Sequence, residues 1–272
     1  VAAIDGRLRA VGAEHGARLL FAVESGSRAW GFPSPDSDYD CRFLFLRPPA
    51  DYLALRPGRD VIEFPIDGDL DVNGWDLRKA LALALAGNAV IGEWADAAIT
   101  YADPDGFKAA LRAVLDEIVD PRLVARHHAG LVFAHRNRFD YTGEVPLKKL
   151  FYVVRPVAAL AWMRARGYRH QPPMNLRALL AGIDLPAGVG AALDDLLARK
   201  AVTRELGTGV PPAPLRDWLA AGFALADEVA RTPRARPDDG ARRAVADAFL
   251  LACFDRFFPG PLAERGALAE KP

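Results

Sequence analysis

Apolar positions in the first hundred residues come in short runs broken by turn formers. Arg18–Ser27 ("RLLFAVESGS") is an apolar run that ends in a Gly-Ser turn. Tyr39–Leu46 ("YDCRFLFL") is rich in aromatics and is closed by "RPP". Arg59–Pro65 ("RDVIEFP") and Asp69–Asp76 ("DLDVNGWD") are similar, the latter alternating briefly before Asn73-Gly74. Runs of that length, bounded by Gly, Pro, Asn and Asp, predict four strands. Residues 2–15 and Asp76–Gly87 ("DLRKALALALAG") carry helical spacing, the second ending at a glycine. Beyond about residue 90 the strand signals stop. Helical spacing then recurs over Phe107–Ile118, Pro121–Phe139, Leu147–Arg166, Asn175–Ala181, Ala191–Glu205, Ala213–Ala230 and Arg242–Phe257. Arg231–Arg243 ("RTPRARPDDGARR") reads as a polar, Pro-containing connector, and the tail after Pro259 as frayed. There is no internal repeat. The pattern predicts an α+β chain: a small mixed β-sheet domain over residues 1–100, then an all-helical domain over 101–272.

Composition narrows the class. A chain of 272 residues can form one large domain or two modest ones sharing a core. Lys plus Arg and Asp plus Glu number 35 each, so the formal net charge is zero. No global basic field is available to attract nucleic acid, and any such contact has to be local. The two cysteines, Cys41 and Cys253, are too few for a disulfide framework and are not spaced as a zinc site. A reducing cytoplasm suits them. Asp5, Arg7, Arg9, Glu14 and Arg18 leave no signal-peptide apolar core in the first thirty residues. The longest apolar stretch, Ala80–Gly87, is far too short to span a bilayer. A cytoplasmic protein without membrane contact is the expectation.

The chemistry concentrates in "GSRAWGFPSPDSDYD", Gly26 to Asp40. Side chains alternate along a strand, so Asp38 and Asp40 share a face while Tyr39 and Cys41 take the other. Asp71 lies on a later predicted strand, with Asp69 two residues before it. If those strands pair, three carboxylates converge, and convergent carboxylates repel unless a cation neutralises them. Their hard oxygens suit Mg²⁺ (or Mn²⁺) bound together with substrate phosphate oxygens. Gly26 allows close backbone approach. Backbone N–H groups after it, the Ser27 hydroxyl and Arg28 would face phosphate oxygens. The bland alternative stays open at this point: Pro, Ser and Asp also make ordinary turns, and Asp69 fits the "DGD" turn better than a metal site.

The segment "SGSRAWGFPSPDSDYDCRFLF" resembles the nucleotidyltransferase signature of the DNA polymerase β superfamily, Gly-Ser followed after about ten residues by Asp-x-Asp and an apolar strand. The forms "GSRAWG" and "SDYDCRF" resemble more specifically a family of predicted nucleotidyltransferases, encoded in some bacteria and phages near RNA ligases and suspected of RNA end repair. Asp71–Tyr101, Pro146–Met163, Pro172–Leu176 and Leu193–Glu205 resemble further parts of that family, so the likeness spans roughly residues 20 to 220. One departure is local: the family often has a Ser-Pro pair where this chain has "EWADAAITY". The resemblance implies that Gly26 and Ser27 hold a nucleoside triphosphate, that Asp38 and Asp40 ligate metal, and that Asp71 is the third carboxylate. It also implies nucleotidyl transfer to an acceptor hydroxyl with release of pyrophosphate, the acceptor being an RNA or tRNA end. Two other readings compete: transfer to a protein or an aminoglycoside-type small molecule, and a catalytically silent module that binds nucleotide or a partner.

Basic residues elsewhere are candidates for the phosphates. Lys148, Lys149 and Arg155 share one predicted helix with Phe151 and Tyr152, where a solvated basic face competes with phosphate contact and base stacking. Arg155 is favoured because Pro156 interrupts the helical hydrogen bonding. Lys79 and Lys200 either reach the site or snorkel. The expected nucleotide-binding set is Gly26, Ser27, Arg28, Lys79, Lys149 and Arg155. His128 and His135 lie seven apart on one helical face but have no marked carboxylate partner, so a metal role is not expected. Trp30, Trp75, Trp94 and Trp162 are expected in the core, and Cys41 in packing on the face away from Asp40.

Overall fold

The computed structural model describes residues 2–233 and 239–260. Residues 234–238 of the expected connector and the tail from 261 onward lie outside them. The first half runs α1 (Ala2–His15), β1 (Arg18–Glu24), α2 (Gly26–Trp30), β2 (Tyr39–Leu46), α3 (Pro49–Leu53), β3 (Val61–Glu63), β4 (Leu70–Asp76), α4 (Leu77–Leu85), α5 (Val90–Asp96) and β5 (Thr100–Ala102). The rest is helical: α6 (Phe107–Ile118), α7 (Pro121–Arg136), α8 (Leu147–Ala165), α9 (Leu176–Ala181), α10 (Val189–Val202), α11 (Ala213–Arg231) and α12 (Asp239–Phe257). A two-residue ladder joins β6 (Val145–Pro146) to β7 (Thr208–Gly209) within it. The fold is α+β, as the pattern predicts.

All four expected strands form, and β5 adds a fifth in a stretch where strand signals had stopped. Three residues are too few to show alternation, and what makes them a strand is pairing with β1, Ala22 opposite Ala102. The sheet order is β3-β4-β2-β1-β5. β2 and β4 are parallel, and the other neighbours are antiparallel.

The two faces of the sheet bury different cores. Cys41, Phe43 and Phe45 of β2 point to a smaller core with Ile4, Leu8 and Val11 of α1. Leu44 and Leu46 point the other way, into a large core that runs without a break from Leu20 to Phe254. Gly74 of β4 makes room for this packing, since a β-carbon there would lie 2.3 Å from the Phe43 ring. The helical half docks on the large core. Phe151 of α8 stacks on Phe32 with centroids 5.1 Å apart. Phe254 of α12 meets Tyr52 edge-on at 5.1 Å. Among the described residues no helix is long and apolar enough to cross a membrane.

Candidate active site

The site lies where the large-core face of the sheet turns polar. Alternation on β2 puts Asp40 and Arg42 on the face that carries Leu44 and Leu46 further along. On β4 the same face carries Asp71, Asn73 and Trp75. Because β2 and β4 are parallel neighbours, Asp40 stands directly beside Asp71. Asp38 is exposed just before β2 begins. Burial pushes the Asp40 carboxyl above its ordinary range; Arg42 pulls it back, and Asp71 and Asp38 push it up again. Asp69 lies in the Gly68 turn between Asp67 and Leu70, and its carbonyl accepts from the Tyr39 N–H at 2.7 Å.

Strand β1 ends beside these carboxylates. Its last residue, Glu24, is fully buried. Glu24 accepts from the Asp40 N–H at 3.0 Å and from the Tyr101 hydroxyl. Burial raises its pKa, and those two hydrogen bonds oppose the rise. The chain then turns through Gly26 at φ +59°. The turn presses on the next strand: a β-carbon at Gly26 would sit 1.8 Å from Asp40 Oδ2. Glycine is therefore required here both for its conformation and for its lack of a side chain.

The turn also fixes the loop before Asp38. Ser27 donates to the Ser37 hydroxyl at 2.9 Å, and Ser37 accepts from the Ser34 N–H at 2.8 Å. Arg28 donates to the carbonyls of Ser37 at 2.7 Å and Asp38 at 3.1 Å, and lies 4.0 Å over the Tyr39 ring. Its guanidinium is committed to positioning the Asp38–Asp40 segment.

Helices from the second half close the other side. A cleft of about 420 Å³ is lined by the Ser25–Ser27 turn, the three aspartates Asp36, Asp38 and Asp40, Arg42, Trp30 and Tyr152, with Lys148 and Lys200 facing in. Lys148 pairs with Asp36 at 3.2 Å. Lys200 is buried, donates to the Phe32 carbonyl at 2.5 Å, and is brought down to about 8 by burial and by Lys148. One wall is thus acidic and the other cationic, the arrangement that a phosphate ester carrying a counter-ion would match.

Several expected site residues are placed elsewhere. Lys79 follows the far end of β4, about 17 Å along the strand from Asp71 at ~3.3 Å per residue, and pairs with Asp60 at 3.0 Å. Lys149 is exposed beside the Tyr152 ring. With 3.6 residues per turn it is rotated about 100° from Lys148, which takes the cleft-facing position. Arg155 is buried beneath Trp30, its guanidinium 4.6 Å from that ring, paired with Glu93 at 2.6 Å and donating to the Met174 carbonyl. It supports the cleft wall from behind. The side chain of Cys41 is buried away from Asp40, as expected, and burial pushes its thiol up to about 12. His128 is buried, while the His135 ring stacks on Tyr152. Trp94 is in the core; Trp30, Trp75 and Trp162 are only partly buried against it.

Two groups, Glu24 and Arg42, escaped the sequence reading, while Lys148 and Lys200 were among its candidates without being singled out for the cleft. Glu24 had one signal, a lone carboxylate closing an apolar strand. Arg42 had another, its place two residues after Asp40 on the same face. The Lys148 and Lys200 positions depend on packing between distant helices and left no local signal that separates them from surface lysines.

Among the described residues, no group of three or more His, Cys, Asp or Glu side chains is placed to hold an ion as it stands. The Arg42 guanidinium occupies the gap between Asp40 and Asp71. Its Nη2 lies 2.9 Å from Asp40 Oδ1 and 2.7 Å from Asp71 Oδ2. One cationic atom can therefore reach both carboxylates, and their hard oxygen donors are of the kind a divalent cation takes.

The chain is 38% identical over 201 residues to a Bacillus subtilis (strain 168) protein bearing the name uncharacterized protein YcgL, covering 73% of this chain and 76% of that one. The RlaP family profile, described as RNA repair pathway DNA polymerase beta family, matches residues 2–251. A match of that extent covers the sheet, the carboxylates and the lysine-bearing helices together, and the chain belongs to this RNA repair pathway DNA polymerase β family.

Proposed function

We propose that the protein is a metal-dependent nucleotidyltransferase that moves a nucleoside monophosphate from a nucleoside triphosphate to a hydroxyl at an RNA end, releasing pyrophosphate. The observation that carries this reading is the pairing of Asp40 with Asp71 on adjacent parallel strands, faced across the cleft by Lys148 and Lys200. Asp38, Asp40 and Asp71 would hold Mg²⁺ or Mn²⁺. When bound, such an ion lowers the pKa of an attacking hydroxyl and offsets charge on the phosphates. Lys148 and Lys200 offer cationic donors to the triphosphate. Asp71 stands at the end of the carboxylate row and would orient the acceptor hydroxyl or accept its proton. Glu24, Arg28 and Ser37 keep the Asp38–Asp40 segment in register, so most of the rate would come from positioning and charge stabilisation.

Incubation with α-labelled nucleoside triphosphates, Mg²⁺ and RNAs with free 3′ ends should place label on RNA, and Asp40→Asn should abolish it. Label on protein or on an aminoglycoside would redirect the reading to those acceptors. Absence of pyrophosphate release with every acceptor would overturn it.

A further inference from the structure

Arg42 is the charged residue that the proposed chemistry leaves without a task. It rises from β2 two residues after Asp40, and its side chain is only 15% exposed. Both of its terminal nitrogens are engaged. Nη2 contacts Asp40 Oδ1 and Asp71 Oδ2, while Nη1 donates to the carbonyls of Asp71 at 2.9 Å and Cys41 at 3.1 Å. The remaining Asp71 oxygen accepts from Asn73 at 3.3 Å. The positive charge therefore sits between two carboxylates that would otherwise repel each other at close range. A guanidinium fork suits this position, since it can satisfy two carboxylates and two carbonyls at once.

We infer that Arg42 is a resident counter-ion: it holds Asp40 and Asp71 together while no metal is bound, and a divalent cation has to displace it from those oxygens to enter. The inference rests on the metal-site reading given above. It has a consequence for the order of binding. A metal arriving alone competes with a tethered cation and is held weakly. A metal arriving with a triphosphate brings negative charge, and Arg42, which lines the same cleft, then has phosphate oxygens to turn to.

The test measures Mn²⁺ binding to the full chain without nucleotide, by electron paramagnetic resonance of free Mn²⁺, at pH 8. Four proteins are compared: wild type, Arg42→Gln, Arg42→Lys and Asp40→Asn. A neighbouring cation shifts a carboxylate by about one to three pKa units, so Arg42→Gln should bind Mn²⁺ at least about tenfold tighter. Arg42→Lys keeps the charge and should stay within about threefold of wild type on the same scale. A purely structural role for Arg42 would have the opposite sign, because a disordered carboxylate pair binds more weakly. Equal or weaker binding by Arg42→Gln overturns the inference. If Asp40→Asn binds Mn²⁺ as wild type does, it is the metal-site reading that fails, and this inference falls with it. Should Arg42→Gln fail to fold, wild type decides the matter through the Arg42 Nε–H signal in nuclear magnetic resonance, assigned by its loss in Arg42→Lys. That signal should shift on Mg²⁺ addition in wild type and stay put in Asp40→Asn; a signal unmoved at saturating Mg²⁺ in wild type overturns the displacement.

Discussion

Replacing Gly26 by alanine is the sharpest perturbation the site offers, because one methyl group acts on two things at once. Gly26 has φ +59°, and an L-residue held there costs about 1–2 kcal/mol. The new β-carbon would also lie 1.8 Å from Asp40 Oδ2 and 2.7 Å from its carboxyl carbon, where real β-carbons keep at least 3.0 Å. The carboxylate therefore has to retreat by about 1.2 Å, or the turn has to open. A 1 Å misplacement of a reacting group costs about 10²-fold in rate. Gly26→Ala should thus unfold about 1–2 kcal/mol more easily in urea and lose about 10²-fold or more in label transfer to RNA. The control is Gly87→Ala. Gly87 also has positive φ, +85°, and its β-carbon would strike Leu123 at 2.2 Å, but it lies away from the cleft. That variant should lose stability while keeping its transfer rate at temperatures where it remains folded. Transfer by Gly26→Ala within about threefold of wild type, far short of that loss, would refute the argument that the turn places Asp40. An equal loss of transfer in folded Gly87→Ala would refute it too.

Four further outcomes follow from groups already described. Arg155→Met leaves Glu93, only 11% exposed, as an unpaired carboxylate and should cost about 3–5 kcal/mol in urea unfolding, with Arg155→Met/Glu93→Leu recovering much of it; a loss under about 1 kcal/mol would show the pair is not structural. Tyr101→Phe strips a donor from fully buried Glu24 and should cost about 1–3 kcal/mol; an unchanged urea midpoint would contradict this. His128 is buried, both ring nitrogens lack a partner among the described residues, and burial holds its pKa well below 6.5. The unfolded chain therefore takes up a proton that the native state refuses, and stability falls as pH drops through 6.5: the wild-type minus His128→Met difference should change by about 1.4 kcal/mol between pH 7.5 and 5.5, and a flat difference would refute it. Lys200, at about 8 against 10.5 unfolded, gives up its proton in the native state as pH rises above 8, while the unfolded chain holds its own up to about 10.5. Wild type should therefore gain stability relative to Lys200→Met as pH rises from 8 to 10.5, and parallel urea curves would show that the lysine is not desolvated.

The carboxylate row was legible because alternation is local. Spacing puts Asp38 and Asp40 on one face and offers Asp71 with Asp69 on a later strand, the family resemblance favours Asp71, and the parallel β2–β4 register puts Asp40 beside Asp71. The strands themselves were legible for the same reason, except β5, whose three residues owe their conformation to a partner eighty positions earlier. The cationic wall was not legible. Lys148, Lys149 and Arg155 look alike in the sequence, and only the rotation of α8 against Trp30 and Phe32 decides that Lys148 faces the cleft, Lys149 faces water and Arg155 faces Glu93. Lys79 was drawn in by nearness in sequence to Asp71, but a strand carries the chain away from where it started. Arg42 was overlooked because a basic residue after an acidic pair reads as solvated until the sheet shows it enclosed.

The unbroken core beneath both halves has a further meaning. Leu20, Phe21, Val23, Leu44 and Leu46 of the sheet share one packed interior with Leu150, Phe151, Val154 and Phe254 of the helices. A chain cut near residue 100 would keep α2, α4 and α5 over that sheet face but open the rest of the shared interior on both sides of the cut. The acidic and the cationic wall of the cleft therefore stand on one shared interior.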